Sequence, residues 1–348
     1  MQRSRMLATL GAGLAVGLVG MGAWPSPALS ETGRAAKAAA KSVSGPAYDL
    51  TGVWTNAWYT KLERPKAFKG LIVTPAEAEA YEAPRRAHRG ELITTDDTVG
   101  QNESEFPDNG PGLARIRGEL RSSWITEPAD GKVPWRPEAA AQRRLSLPSD
   151  NYDNVEARDT EERCLTNPGT AAPIVNDHDA NLLQLVQTGD RRRGGALAIY
   201  GEKNHQVRIV RILPAGATAA PDPRAAGVTD WLGDSVGHWE GATLVVETTG
   251  FRPGVTMVNR NLMVSDHARV VERFTRSGAG EIAYGFEVTD PTLYTKSWRG
   301  EMVFRATHEL MFEYACHEGN YGLPNILAAA RAAEREKAAA AAAKTRGQ

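Results

Sequence analysis

Charge of one sign is what this chain most lacks. Its 41 lysines and arginines stand against 42 aspartates and glutamates, a formal net charge of −1 over 348 residues, and the two signs are interleaved. A protein that grips a phosphate backbone shows a basic face, so nucleic acid is excluded as the expected partner. Long apolar runs are equally scarce. One opens the chain, and nothing after it has the roughly 18 to 20 apolar residues of a membrane-crossing helix. Cysteine is limited to Cys164 and Cys316, without the repeated Cys or His spacing of a zinc site. There is no G-x-S-x-G elbow, which argues against a serine hydrolase. From Asn181 onward no helix is long enough for βαβ crossovers, which argues against a doubly wound parallel sheet. No pattern asks for a cofactor or a metal.

What is present begins with Arg3 and Arg5, the run "MLATLGAGLAVGLVGMGAW" and the exit "PSPALS" before Glu31. Basic, apolar and small-residue segments in that order read as a secretory signal over 1–30, cleaved near Ser30. A retained anchor is the rival reading, opposed by five glycines in the run and the prolines behind it. Removing Arg3 and Arg5 leaves 39 basic against 42 acidic residues, a formal charge of −3. The expected location is therefore the periplasm or the exterior. There, a lone cysteine pair is expected to bridge, and closing so long a loop is worth about 4 to 5 kcal/mol in the chain-entropy treatment.

Residues 31–46 are Ala, Lys and Ser with almost no large apolar side chain and read as a linker. A single β domain over 47–327 follows, with an irregular polar insert near 90–160, and 328–348 read as an Ala-rich helical tail. Thr74, Pro75 and Glu77 form a capping box that starts a short helix. "SSWITEPADGKVPW" reads as strand, turn, strand. Asp96, Asp97, Glu103, Glu105 and Asp108 miss the EF-hand spacing and read as a solvated loop. Asp177, His178 and Asp179 read as a polar turn.

From Asn181 the rhythm is short β-branched and aromatic runs between Gly, Pro and Asp. Strands are expected at "LLQLVQ", "ALAIYG", "QVRIVRIL", "TLVVETT", "RVVERFTR", "EIAYGFEVTD", "EMVFRA" and "LMFEYAC". So many strands on tight turns predict a mainly β fold, an antiparallel meander closing into a barrel or folding into a sandwich, with short peripheral helices and a C-terminal helix.

Alternation puts Ile282, Tyr284, Phe286 and Val288 on one inward face, and Leu310, Phe312, Tyr314 and Cys316 on another. Glu281, Glu287 and Glu313, with Arg208, Arg273 and Arg305 on neighbouring strands, are assigned to a wet outer surface. Glu272 shares its face with Val270 and Phe274. It is either a carboxylate whose acidity an apolar lining would weaken for acid/base work, or a buried glutamate paired with an arginine. His317 and Glu318 in "CHEGNYGLPN" are candidates for acid/base or ligand-binding roles, against a strand exit held by the disulfide. Asp234, Ser235 and His238 crowd one turn and cannot easily align as a triad. Asp234 joins the acid/base set, and His238 the ligand-binding set with Tyr321.

Several of these segments, "DLTGVWTN", "SSWITEPADGKVP", "ERCL", "WLGDSVGHWEGATLVVETTGF", "VVERFTR", "EVTDPTLYTKSW" and "FEYACHEGNYGLPNILAAAR", occur in an order that resembles a widespread group of secreted bacterial proteins. The resemblance implies that both cysteines belong to the shared pattern and implies no particular reaction. The chain is also similar to lipocalin-like barrels in the Gly52 to Trp54 pair at its first strand. That similarity implies that Trp54 closes the barrel floor and that inward aromatics line a cavity for one small ligand.

Three functions follow as expectations. The first is a binding protein for a small apolar or amphipathic molecule, with Trp54, His238, Tyr284, Phe286, Phe312, Tyr314 and Tyr321 at the ligand. The second is an enzyme on the same barrel, working by hydration, isomerisation or elimination through Glu272, His317, Glu318 and Asp234. It requires two of these groups to converge on one cavity. The third, an envelope-associated structural or interaction protein, requires a large exposed apolar patch and an empty or absent cavity.

Overall fold

The computed structural model describes residues 47–95, 110–146, 152, 154–158, 160, 162–165, 169–176, 181–217, 229–259 and 262–346. The signal, the linker, the carboxylates between Asp96 and Asp108, and Asp177 to Asp179 lie outside the described residues.

Among the described residues fifteen strands run in chain order: β1 Gly52–Thr55, β2 Ile72–Val73, β3 Arg115–Ile116, β4 Glu119–Arg121, β5 Ile125–Glu127, β6 Leu182–Asp190, β7 Gly194–Gly201, β8 Val207–Ile212, β9 Asp234–Glu240, β10 Thr243–Thr249, β11 Val255–Asn259, β12 Leu262–Ser265, β13 Arg269–Gly278, β14 Glu281–Thr289 and β15 Trp298–Ala306. The helices are α1 Pro75–Thr95, α2 Pro137–Ser146, α3 Cys316–Gly319 and α4 Gly322–Arg346. None of the described helices is long and apolar enough to cross a membrane.

Nine strands close a barrel in the order β1, β6, β7, β8, β9, β10, β13, β14, β15, and β15 returns to β1 through Trp54 opposite Ala306 and Thr55 opposite Arg305. Every junction is antiparallel except β8 to β9, which run parallel with Val210 opposite Ser235. Closure leaves the barrel no unpaired edge. β5 adds to β15 as a tenth strand, β2, β4 and β3 form a small separate sheet, and β11 and β12 form a hairpin.

β-branched and aromatic residues at every second position explain these strands. β14 buries Ile282, Tyr284, Phe286 and Val288 and leaves the intervening residues half-buried, as its alternation predicts. Closure overturns the expectation of a further strand at "LMFEYAC". Once Ala306 has paired with Trp54, the sheet has no free backbone for the next segment, and 307–315 leaves the barrel. Leu310, Phe312 and Tyr314 are exposed rather than inward, and Cys316 begins α3.

"SSWITEPADGKVPW" yields one strand, β5, and a turn closed by Gly131 N–H on the Pro128 carbonyl at 2.9 Å. Pro134 and Pro137 remove donors beyond the turn, and only an isolated bridge from Trp135 to Tyr294 forms there. The capping box at α1 is reciprocal. Thr74 N–H donates to Glu77 Oε2 at 2.8 Å, and Glu77 N–H donates to Thr74 Oγ1 at 3.2 Å. The helix is long, at 21 residues. α4 docks at its start through the half-buried Leu323, Ile326, Leu327 and Ala330, one face at helical spacing, and is exposed from Ala333 onward.

Cys164 and Cys316 are bridged across 152 positions. The bond joins the C-terminal arm to the 162–165 segment, where Asn320 Nδ2 also donates to the Glu162 carbonyl at 2.7 Å.

Candidate functional site

Inside the barrel, Glu272 from β13 and Arg208 from β8 form a buried ion pair, with residue exposures of 0 % and 2 %. The Arg208 guanidinium reaches both carboxylate oxygens, with Nη2 donating to Oε1 at 2.8 Å and Nη1 to Oε2. Nη1 also reaches Thr248 Oγ1 at 3.3 Å, and the Thr248 and Ser235 hydroxyls bond each other at 2.8 Å. The Tyr284 hydroxyl donates to Glu272 Oε1 at 2.7 Å and accepts from Ile174 N–H at 2.8 Å. Burial opposes the Arg208 charge, but the Glu272 carboxylate outweighs it and holds the guanidinium pKa above its ordinary value. Burial, and then the same carboxylate, push the Tyr284 phenol well above its usual range. Among the two readings of Glu272, the arginine-paired one is present.

Arg208 is therefore inward, correcting its assignment to the wet surface. β8 is apolar on both faces, with Val207 and Ile209 outward and Val210 and Ile212 inward, so alternation alone could not choose. The legible signal was an opposite charge on each of two apolar faces: Arg208 beside Val210 and Ile212, Glu272 beside Val270 and Phe274. Elsewhere the outer-wall pairing holds with other partners. Arg299 bonds Glu287 at 2.8 Å, and Arg269 bonds Glu247.

The inward aromatics pack on one another. Tyr284 lies 5.0 Å from the ring centres of both Phe274 and Phe304, and Phe286 meets Trp298 edge-on at 5.5 Å. Trp54 is buried on the closing strand and donates Nε1–H to the Leu50 carbonyl at 3.0 Å. Tyr284, Phe286 and Trp54 thus belong to the barrel core.

The remaining candidates stand elsewhere. Asp234 and His238 occupy outward positions of β9, and His238 Nε2 lies 3.0 Å from Glu240. His317 and Glu318 are exposed on α3, and Phe312, Tyr314 and Tyr321 are exposed on the C-terminal arm. Of the four acid/base candidates, one is sealed in the core, one sits on the outer wall and two sit on the arm. They do not share a cavity.

A groove of about 350 Å³ opens outside the barrel wall, between α1, the segment from Pro111 to Leu120 and Trp58. Sequence reasoning did not find it, because its walls come from three separated stretches. Trp58 is fixed from several sides. Its Nε1–H donates to the Val303 carbonyl at 3.0 Å, its carbonyl accepts from Asn176 Nδ2 at 3.1 Å, and the Arg305 guanidinium lies 4.7 Å from its ring centre. Glu82 holds the opposite wall by accepting from Leu113 N–H at 2.8 Å and from Arg86 at 2.9 Å. A Cβ at Gly112 would stand 2.9 Å from the Glu82 oxygens, so a side chain there would strain the backbone at φ +153° and push the Glu82 carboxylate aside. Glu79 and Arg115 bring charges of opposite sign to the same lining, alongside Trp58, Pro75 and Ala78.

Compared with protein-family models, with curated proteins and with solved structures, the chain gives no match.

Proposed function

We propose that this is an exported binding protein for a small amphipathic molecule, and that its site is the groove beside α1 rather than the barrel lumen. The supporting observation is the contrast between the two places. The described lumen residues are rings in contact around a buried ion pair, whereas the groove has a volume within the range of small-ligand sites. It offers apolar surface from Trp58, Pro75 and Ala78 together with Glu79 and Arg115 for a polar head. Export rests on the order of segments before Glu31, and the Cys164 to Cys316 bridge suits an oxidising compartment.

Native mass spectrometry of the protein purified gently from the periplasm tests the reading, comparing native with denatured mass. A released amphipathic compound that Trp58→Ala no longer retains supports the groove. Retention of the same compound by Trp58→Ala, or a clean apo mass with no compound shifting protein fluorescence in a screen, overturns it.

A further inference from the structure

The barrel wall has two unlike sides. On β13 to β15 and their neighbours the outside is laced with ion pairs, Glu247 with Arg269, Glu287 and Glu127 with Arg299, Glu301 with Arg117. On β6, β7 and β8 the exposed and half-buried outward positions are Gln184, Val186, Thr188, Asp190, Ala196, Ala198, Tyr200, Val207, Ile209 and Arg211, with Asp190 at the rim as their one carboxylate. Val186, Ala198 and Ile209 lie directly opposite one another across the three strands, in one apolar row. Ile209 is 56 % exposed, Val207 44 % and Val186 41 %.

The ends of this face differ. At the β6 to β7 turn stand Arg191, Arg192 and Arg193, all exposed. Asp190, which ends β6, accepts through Oδ1 from the N–H groups of Arg192 at 2.8 Å and Arg193 at 2.9 Å, and its Oδ2 lies 3.7 Å from the Arg193 guanidinium, so the turn keeps a net positive charge. At the other end, Glu202 accepts from Phe312 N–H at 2.6 Å, tying the C-terminal arm and its exposed Leu310 and Phe312 to the β7 to β8 turn.

We infer that the β6–β8 face docks on an anionic lipid bilayer. Aliphatic side chains on a wall whose one carboxylate sits at the rim suit the boundary of the acyl region, and the arginine turn at that rim, three arginines against Asp190, suits lipid phosphates. The pairing of apolar exposure with a net positive rim selects this occupant.

Co-sedimentation of the full protein with phosphatidylcholine vesicles, with and without phosphatidylglycerol, reads it directly. Binding is expected only to the anionic vesicles, weakening as salt rises. R192A/R193A is expected to lose about thirtyfold in vesicle affinity. I209E is expected to abolish binding, while both variants keep the parental thermal unfolding because the positions are exposed. Equal binding to both vesicle types, no binding to either, or an unchanged R192A/R193A overturns the proposal. So does a dimer in sedimentation that I209E dissociates, which would assign the face to self-association.

Discussion

Arg208 and Glu272, 64 positions apart in sequence, meet inside the barrel from strands that are not neighbours, with β9 and β10 between β8 and β13. The pair ties two parts of the closed wall together through its interior. Its charges are matched and both carboxylate oxygens are engaged, and that arrangement sets the first prediction.

Glu272→Gln leaves a guanidinium charge in the core without its counter-charge and should cost about 3–5 kcal/mol of stability. Arg208→Met combined with Glu272→Leu removes both charges and should cost less than the single change. Denaturant unfolding of the three proteins checks this. A cost for Glu272→Gln near that of a surface change would mean that the pair is not sealed from water.

Stability should fall as pH rises above about 10. Tyr284 is held in its neutral form by burial and by the Glu272 carboxylate, so the folded protein keeps a proton that the unfolded chain releases near the ordinary phenol value. This contribution is present below that pH and is lost above it. Tyr284→Phe should flatten the alkaline slope in chemical-denaturation experiments while costing about 1–3 kcal/mol at neutral pH, since Ile174 N–H and Glu272 lose a partner. Part of the slope should survive in that variant, because burial also raises Tyr81.

Gly300→Ala should destabilise the barrel by about 1–3 kcal/mol or more. Phe286 lies directly across from Gly300, and an added Cβ would stand 2.3 Å from its ring and 2.9 Å from the Trp124 carbonyl. Pairing Gly300→Ala with Phe286→Ala in a double-mutant cycle should give a combined cost below the sum of the two. Additivity would mean that the two positions do not meet.

Reduction of Cys164–Cys316 should release the C-terminal arm before it affects the barrel. The sheet closes at Ala306, with Thr307 N–H on the Val53 carbonyl at 3.0 Å, and the arm beyond Thr307 has no paired position in it. The disulfide's benefit is then limited by how well the arm itself is docked, below the about 4 to 5 kcal/mol of the full loop. Limited proteolysis with and without reductant checks this. Cleavage within 307–321 should appear only in the reduced protein and leave a folded barrel, and simultaneous loss of barrel and arm would contradict it.

Much of the wall was legible residue by residue. "EIAYGFEV" alternates cleanly and places Tyr284 and Phe286 inward, and Thr74 to Glu77 announces its helix. "LMFEYAC" alternates just as well and is not a strand, because whether an edge remains for it depends on β1, which lies some 250 positions earlier. The groove was hidden for a related reason. Trp58, Glu82 and Gly112 each look ordinary in their own stretch, and only their approach makes a site.

By itself, the sequence determined what local chemistry can determine: which runs extend, which faces of most strands are apolar, where a helix begins and that two cysteines are available to pair. Tertiary structure decided which strand closes on which, that one junction runs parallel, that Arg208 turns inward to Glu272, and that the candidate site lies outside the barrel. The physical reason is that alternation and capping act over a few residues. Backbone pairing and the neutralisation of a buried charge are satisfied only by partners that the closed fold brings from far along the chain.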